Sequence, residues 1–382
     1  MQEERLVVAH IWPAYSGRPE SRVHVLCKMD NKEFTVIGIY LTRCSDKPNP
    51  LEERGFKAFY LSEKKELKFF SFRILYRLAR ILKAQKVDII HSHRDKAMVY
   101  GTIAGVIART PASVAQVHGF SRTRNWHRRL RNLFIMKRIG KVLTVGEAVR
   151  EDVLTTNPSV PARKVCSIGN SIDFENFANV SINCRQIRDK LDIPQDAVVF
   201  GTVGRHTPSK GQIYLIDAFA IVKKAIANAQ LVFIGDGPFR GELEKRAAEN
   251  GIAESTRFLG RRDDVPEVLR ALNVFVLPSI GSEGLPRALM EAMASGIPCI
   301  STTACGMPEI LGNGELGFLV PAADGIALAD KMLTVIKMPK DKLKEITEKA
   351  KQKVKDEYTY EAAAERKERI YRELATKAGL IG

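Results

Sequence analysis

The chain reads as an α/β protein made of two doubly wound, Rossmann-like parallel-sheet domains. Three observations lead there. Short apolar runs alternate with helical patterns from end to end, and that alternation gives parallel sheets with helices on both faces. The alternation runs through each half of the chain in turn. A length of 382 residues also exceeds what one ordinary core accommodates.

In the first half, strands are expected at Leu6–Ile11, Thr35–Tyr40, Lys57–Tyr60, Val87–His91, Ser113–His118, Val142–Val145 and Val165–Ile168. Helical patterns lie between them, as over Phe72–Ala84 and Ala97–Ala108. The second half repeats the scheme with Val198–Val203, Leu231–Ile234, Arg257–Leu259, Val274–Leu277, Ile297–Ser301 and Gly317–Val320. The polar stretch Asp173–Asp196 is the expected linker, and the tail from Lys340 is charged and helical. The expected domains are therefore 1–180 and 181–357.

Composition narrows the class. Hydrophobic residues make up 45% and charged residues 27%, as in soluble globular proteins. No apolar run approaches the ~18 residues that cross a bilayer, and Met1-Gln2-Glu3-Glu4-Arg5 does not open like a secretory signal. The six cysteines form no C-x-x-C pair and read as thiols in a reducing cytoplasm, without structural zinc.

Charge is uneven. Residues 1–190 hold 34 Lys+Arg against 18 Asp+Glu, whereas residues 191–382 hold 26 of each. The densest cluster is Arg122, Arg124, Arg128, Arg129, Arg131, Lys137, Arg138 and Lys141. At helical spacing Trp126, Leu130, Leu133 and Phe134 form an apolar stripe beside it. Two readings fit that stripe: a helix lying on an anionic membrane, or a core helix with a solvated basic side. The net charge of the half favours an anionic partner. Nucleic acid is not expected, because no helix-turn-helix, zinc-finger or RNA-binding aromatic motif is present.

The chemistry concentrates after the strand Val274–Leu277, which Pro278 stops. Glu283 and Glu291 follow, separated by seven residues. Gly284 and Pro286 open a helix whose core side carries Leu289, Met290 and Met293. At ~1.5 Å per residue the carboxylates stand about 12 Å apart along it. That suits a ligand with hydroxyls at both ends and an anion between, facing the helix N-terminus. A nucleotide sugar has this shape. Glutamates so spaced are commonly solvated. Here the small residues Ala292, Ala294, Ser295 and Gly296 pack the helix closely, where an unpaired carboxylate is costly. A second element, the strand Val198–Val203 followed by Gly204-Arg205 and Lys210-Gly211, sets glycines and two cations at a strand–loop–helix junction. Such a junction suits phosphate, although either cation alone would read as solvated.

These segments resemble a known family. PSIGSEGLPRALMEAMASGIPCISTTACGMPEIL resembles the E-x7-E signature of retaining family 4 glycosyltransferases of the GT-B fold. The Gly204-Arg205…Lys210-Gly211 element resembles that family's phosphate site, and VFIGDGP, RFLG and QVHG stand in the family's order. The resemblance spans nearly the whole chain. It implies that the two domains face a deep cleft and that the end from about Tyr358 to 382 crosses back to the first. It implies transfer, with retention, of a hexose-type sugar from a nucleotide-diphosphate donor, UDP favoured. The basic excess of the first half, which should hold the acceptor, points to an acceptor that is anionic or anchored in an anionic leaflet: a glycan or lipid-linked molecule of cell-envelope or lipopolysaccharide synthesis, reached by a cytoplasmic protein peripheral at the inner face of the plasma membrane.

Site roles follow from the same comparison. Arg205 and Lys210 stabilise the departing diphosphate without a metal, beside Gly204. Glu291 holds ribose hydroxyls. Glu283 holds sugar hydroxyls with the Gly284-Leu285-Pro286 backbone beside it, or acts as a nucleophile; the resemblance favours same-face attack. His118, at a strand end, is either structural or directed at the donor sugar. Gly17 lets the backbone approach the diphosphate or the acceptor. No metal and no cofactor are expected, and the acidic pair Asp263-Asp264 reads as helix caps. His91 and His93 share one strand face, with His93 lining the cleft; two histidines alone make no metal site. The chain departs from the family pattern at the single-glycine first loop, at Ser171 and at Cys305-Gly306. Two other readings stay open: a nucleotide-sugar epimerase on the same fold, and a non-enzymatic basic membrane- or nucleic-acid-binding protein.

Overall fold

Both halves form parallel sheets, seen in a computed structural model that describes residues 5–17, 21–63, 70–120, 126–281 and 283–381. The chain divides into two compact units, Met1–Gly169 with Tyr360–Gly382, and Asn170–Thr359.

The first unit holds β1 (Leu6–Trp12), β2 (Phe34–Tyr40), β3 (Lys57–Tyr60), β4 (Ile89–His93), β5 (Ala112–Val117), β6 (Lys141–Thr144) and β7 (Val165–Ser167). Their order is β3-β2-β1-β4-β5-β6-β7, so the winding reverses between β1 and β4. Every strand pairing is parallel, and β1 is buried on both faces. Leu6, Val8 and Trp12 point toward one core, which includes Tyr360, Ile370, Tyr371 and Leu374 of the C-terminal helix Tyr360–Lys377. Ala9 and Ile11 point toward the other, filled by Ile74, Leu75, Leu78 and Leu82 of the helix Phe72–Ala84. That helix forms because Ser71 caps its start, accepting from the Ile74 N–H, and because apolar residues recur at three- and four-residue spacing. Each fully buried Leu or Ile contributes about 1.5–3 kcal/mol.

The second unit holds β8 (Val198–Val203), β9 (Ala229–Ile234), β10 (Thr256–Phe258), β11 (Val274–Leu277), β12 (Cys299–Thr302) and β13 (Phe318–Val320), in the order β10-β9-β8-β11-β12-β13. Here the winding reverses between β8 and β11. Ligands of open parallel sheets bind beyond the carboxyl ends of the strands at such a reversal.

Three expectations change. The expected linker Asp173–Asp196 contains two helices, Phe174–Ala178 and Cys184–Lys190. Phe174, Phe177 and Ile187 belong to the same buried cluster as Met290 and Met293, which draws this stretch into the second unit. The first division accordingly falls after Gly169 and not after residue 180. Finally, β4 runs two residues further than expected, to His93, and β5 stops at Val117, leaving His118 just beyond the strand. Among the described residues no helix is long and apolar enough to cross a membrane.

Candidate active site

In the second unit the loops after β8 and β11 meet. Gly211, between the turn Pro208–Lys210 and the helix Gln212–Ala225, has φ +63°, and a Cβ there would overlap the Pro278 carbonyl oxygen. Only glycine meets both conditions. The Ile280 N–H donates to the Ser209 carbonyl at 3.0 Å and ties the loops together. This contact sets Lys210 against Glu283: the ammonium donates to the Glu283 carboxylate, which also accepts from Ser279 Oγ at 3.3 Å. The two side chains are 25% and 14% exposed, and burial lowers the Lys210 pKa. Gly306 presses on the Gly284 carbonyl so closely that a Cβ would overlap it, and its N–H reaches the Glu283 carbonyl at 3.3 Å. Leu285 and Pro286 are buried, Leu285 in the core, and the Leu285 carbonyl accepts from Asn170 at 3.1 Å. These residues can serve a ligand through their backbone.

The helix begins only at Arg287, so the 12 Å estimate along a continuous helix does not apply: the three non-helical residues Gly284, Leu285 and Pro286 lie between Glu283 and the helix. Glu291 is on the helix as expected, its side chain 16% exposed, with Arg287 at 3.9 Å. Burial raises its pKa, and Arg287 opposes that rise. Gly204 follows β8, and its N–H donates to the Ile234 carbonyl at 2.9 Å. Arg205 is exposed and makes no ion pair among the described residues. The structure thus brings Lys210 and Glu283 into contact and leaves the Arg205 charge in solvent.

Next to Arg205 lies a residue that the sequence reading passed over. His206 is fully buried against the edges of Phe233 and Phe258, and neither ring nitrogen has a hydrogen-bond partner. Burial is the main cause lowering its pKa.

In the first unit, Gly17 has φ +69° and packs on Ser45, where a Cβ would overlap the Ser45 side chain. His118 follows β5 and stacks on His93, with ring centroids 6.0 Å apart. It lines a cavity of about 340 Å³ together with Arg94, Asp95, Gln116, Arg128 and Met136. Beneath it runs a buried chain of hydrogen bonds that unites residues far apart in sequence. His10 Nδ1 meets His93 Nε2 at 2.9 Å, and His10 Nε2 meets the Tyr371 hydroxyl at 3.3 Å. Tyr371 also meets His91 Nδ1, and His91 Nε2 reaches Gln116 Oε1 at 3.2 Å. One set of neutral tautomers satisfies all four: His91 donates to Gln116, Tyr371 to His91, His10 to Tyr371 and His93 to His10. The ligand atoms of His10, His91 and His93 lie within 4.8 Å of one another, so a metal could be held there only by breaking this chain. The sequence named His91 and His93 but not His10 or Tyr371; His10 also lies in an expected strand, but only the structure shows that strand pairing with theirs, His10 opposite His91.

The basic segment forms the helix Trp126–Arg138; Arg122 and Arg124 lie outside the described residues. Its buried side is Asn132, Ile135 and Met136. The apolar stripe faces outward: Trp126 is 65% exposed, Leu130 54% and Phe134 71%, with Leu133 also exposed. Three of its arginines have partners within the unit: Arg131 and, at 3.9 Å, Arg128 on Asp95, and Arg129 on the Thr156 carbonyl at 2.9 Å. Counted by structural unit the charge asymmetry sharpens: the first holds 36 Lys+Arg and 19 Asp+Glu, the second 24 and 25.

Two such units, with paired loops at the reversal of the second sheet, have the architecture of the GT-B fold. The sequence matches Glycosyl transferases group 1 over residues 184–353 and Glycosyltransferase Family 4 over residues 21–176; the chain belongs to this family. It is 31% identical over 260 residues to the UDP-Gal:alpha-D-GlcNAc-diphosphoundecaprenol alpha-1,3-galactosyltransferase of Escherichia coli, covering 65% of this chain and 66% of that one. It is 32% identical over 216 residues to the putative glycosyltransferase EpsF of Bacillus subtilis (strain 168), covering 55% of this chain and 56% of that one. The matched stretches thus span just under two thirds, and just over half, of these two relatives. In fold it is similar to Anabaena Alr3699/HepE in complex with UDP, with a TM-score of 0.81 at 20% identity over 97% of this chain and 100% of that one.

Proposed function

We propose that the chain transfers a hexose from a nucleotide-diphosphate sugar to a glycan or lipid-linked acceptor in cell-envelope polysaccharide or lipopolysaccharide synthesis, with retention and without a metal. The observation that carries this reading is the partly buried Lys210–Glu283 pair at the reversal of the second sheet. A partly buried lysine there is a ready counter-charge for a diphosphate, and Glu283 beside it can turn to sugar hydroxyls once the lysine is engaged. Glu291 takes the ribose hydroxyls, and Arg205, exposed beside Gly204, adds charge as the diphosphate departs. In the first unit, His118 is the group proposed to face the sugar, and Gly17 the place where backbone approaches the diphosphate or the acceptor. UDP is the favoured carrier. The E. coli relative is named for a UDP-sugar donor and a lipid diphosphate acceptor, and the Anabaena neighbour for its complex with UDP.

The outward stripe of the helix Trp126–Arg138 supports a peripheral place at the inner, cytoplasmic face of the plasma membrane. Aromatic and aliphatic side chains flanked by cations suit an anionic leaflet, at ~1 kcal/mol per basic residue. Replacing Lys210 by Ala tests the reading: donor binding and transfer should nearly vanish in a folded variant, and activity within about twofold of wild type would overturn the phosphate role.

A further inference from the structure

The basic character of the first unit has a second focus, away from the helix stripe and from His118. A cavity of about 700 Å³ opens at the amino-terminal edge of the first sheet, where Ala112 and Ser113 begin β5. His118 lies beyond the other end of that strand, about 16 Å away at ~3.3 Å per residue. Three exposed arginines from separate elements line the cavity. Arg109 closes the helix Arg94–Ala108 with φ 57°, Arg138 ends the helix Trp126–Arg138, and Arg163 lies in the turn Ala162–Lys164. None of the three makes an ion pair among the described residues.

The other charges at the rim are already committed. Glu373 is shared between Lys141, at 3.1 Å, and Lys377. Lys164 donates to the carbonyls of Lys137 and Ile139, each at 2.9 Å, and so already serves the end of the helix that Arg138 closes. Burial and then Arg163 lower the Lys164 pKa, in keeping with uncompensated positive charge around it. Ile90 and Leu374 give the cavity an apolar floor. Guanidinium groups are forks matched to phosphate oxygens, and three without counter-ions around one cavity repel each other until an anion enters.

We infer that this cavity binds a phosphate-bearing anion with an apolar portion, at a site separate from the sugar-transfer site and independent of the reading given for it. The anion is either a soluble organic phosphate or the headgroup of an anionic lipid.

The test uses the full chain carrying Lys210→Ala, which removes the phosphate contact proposed in the second unit. Inorganic pyrophosphate is titrated calorimetrically, and binding to phosphatidylcholine vesicles with and without phosphatidylglycerol is measured by sedimentation. Arg109→Gln with Arg163→Gln, both outside the helix Trp126–Arg138, should weaken at least one of these about tenfold or more, because each lost contact is a charge-assisted one. Lys32→Gln with Lys57→Gln, exposed cations elsewhere in the unit, should weaken neither; circular dichroism checks that both pairs fold. Loss confined to pyrophosphate identifies a soluble phosphate, and loss confined to phosphatidylglycerol vesicles a headgroup. Loss of both identifies one cavity serving either. The inference is overturned if the arginine pair changes neither, or if the lysine pair causes an equal loss.

Discussion

Glu283 holds Lys210 before any donor arrives, which leads to a counter-intuitive prediction: Glu283→Gln should bind free UDP more tightly while losing transfer. At an effective dielectric of ~20, unit charges 4 Å apart attract by about 4 kcal/mol, and desolvation of both groups offsets much of this. What remains is a charge-assisted contact of ~1.5–3 kcal/mol. Lys210 is still 25% exposed, so the lower figure applies. A diphosphate must displace that contact to engage the ammonium. Glutamine keeps the volume and an acceptor for Ser279 but releases Lys210 and removes a carboxylate facing the phosphates. UDP affinity should therefore rise about tenfold, since ~1.4 kcal/mol is a factor of ten. Transfer should collapse, because the sugar loses its charged acceptor. Lys210→Met should weaken UDP about tenfold or more, and adding Glu283→Gln to it should recover little, because Glu283 acts through Lys210. Calorimetric titration of UDP at low ionic strength, with product assay by chromatography, reads both effects. Unchanged or weaker UDP binding by Glu283→Gln, or transfer within about twofold of wild type, would refute this reasoning.

Other expectations follow from the same geometry. His206 is buried without a partner and its native pKa is depressed, so protonation favours the unfolded chain and its contribution to stability is lost as pH falls below ~6.5. His206→Leu should raise stability by about 1–3 kcal/mol in urea unfolding, with a margin that widens toward about pH 5.5; a margin that shrinks on acidification counts against this. Leu130→Ser with Phe134→Ser should weaken binding to phosphatidylglycerol vesicles without lowering stability, because both side chains are exposed, and vesicle binding equal to wild type would remove this helix from the membrane account. Arg128, Arg129 and Arg131 changed to Glu should weaken it further, although all three also have partners within the unit, so thermal unfolding must be followed in parallel. Activity should persist in excess EDTA; loss restored by Mg²⁺ would replace the metal-free mechanism.

Much of this was legible in the sequence because it is local. A strand of the second unit shows as a short apolar run closed by Gly or Pro, and Glu283, Glu291, Arg205 and Lys210 stand in fixed relation to such runs. Tertiary partnership was less visible. Nothing around Lys210 announces that Glu283 will be its partner. The histidine chain needs Tyr371, 280 residues from His91, brought in by the C-terminal helix. Periodicity showed that Trp126, Leu130, Leu133 and Phe134 share a face, but a 3.6-residue period is the same for a face turned inward or outward. The neighbouring Ile135 and Met136 are the residues that turn in. The polar stretch after Asp173 looked like a linker because its few apolar residues are scattered; Phe174, Phe177 and Ile187 nevertheless suffice to join the second core. His206 occupies an apolar niche that no local pattern reveals.

The central claim is that the second unit holds a nucleoside-diphosphate sugar through Lys210. Thermal unfolding of the wild type and of Lys210→Ala across a panel of nucleoside diphosphates and their sugars, in EDTA, tests it most directly. A donor present at 100 times its dissociation constant adds ~2.7 kcal/mol of apparent stability. The wild type should be stabilised selectively by one base, UDP and UDP-hexoses foremost, and Lys210→Ala should lose most of that gain at the same concentrations. Equal stabilisation of both proteins, or stabilisation of neither by any member of the panel, would contradict the claim.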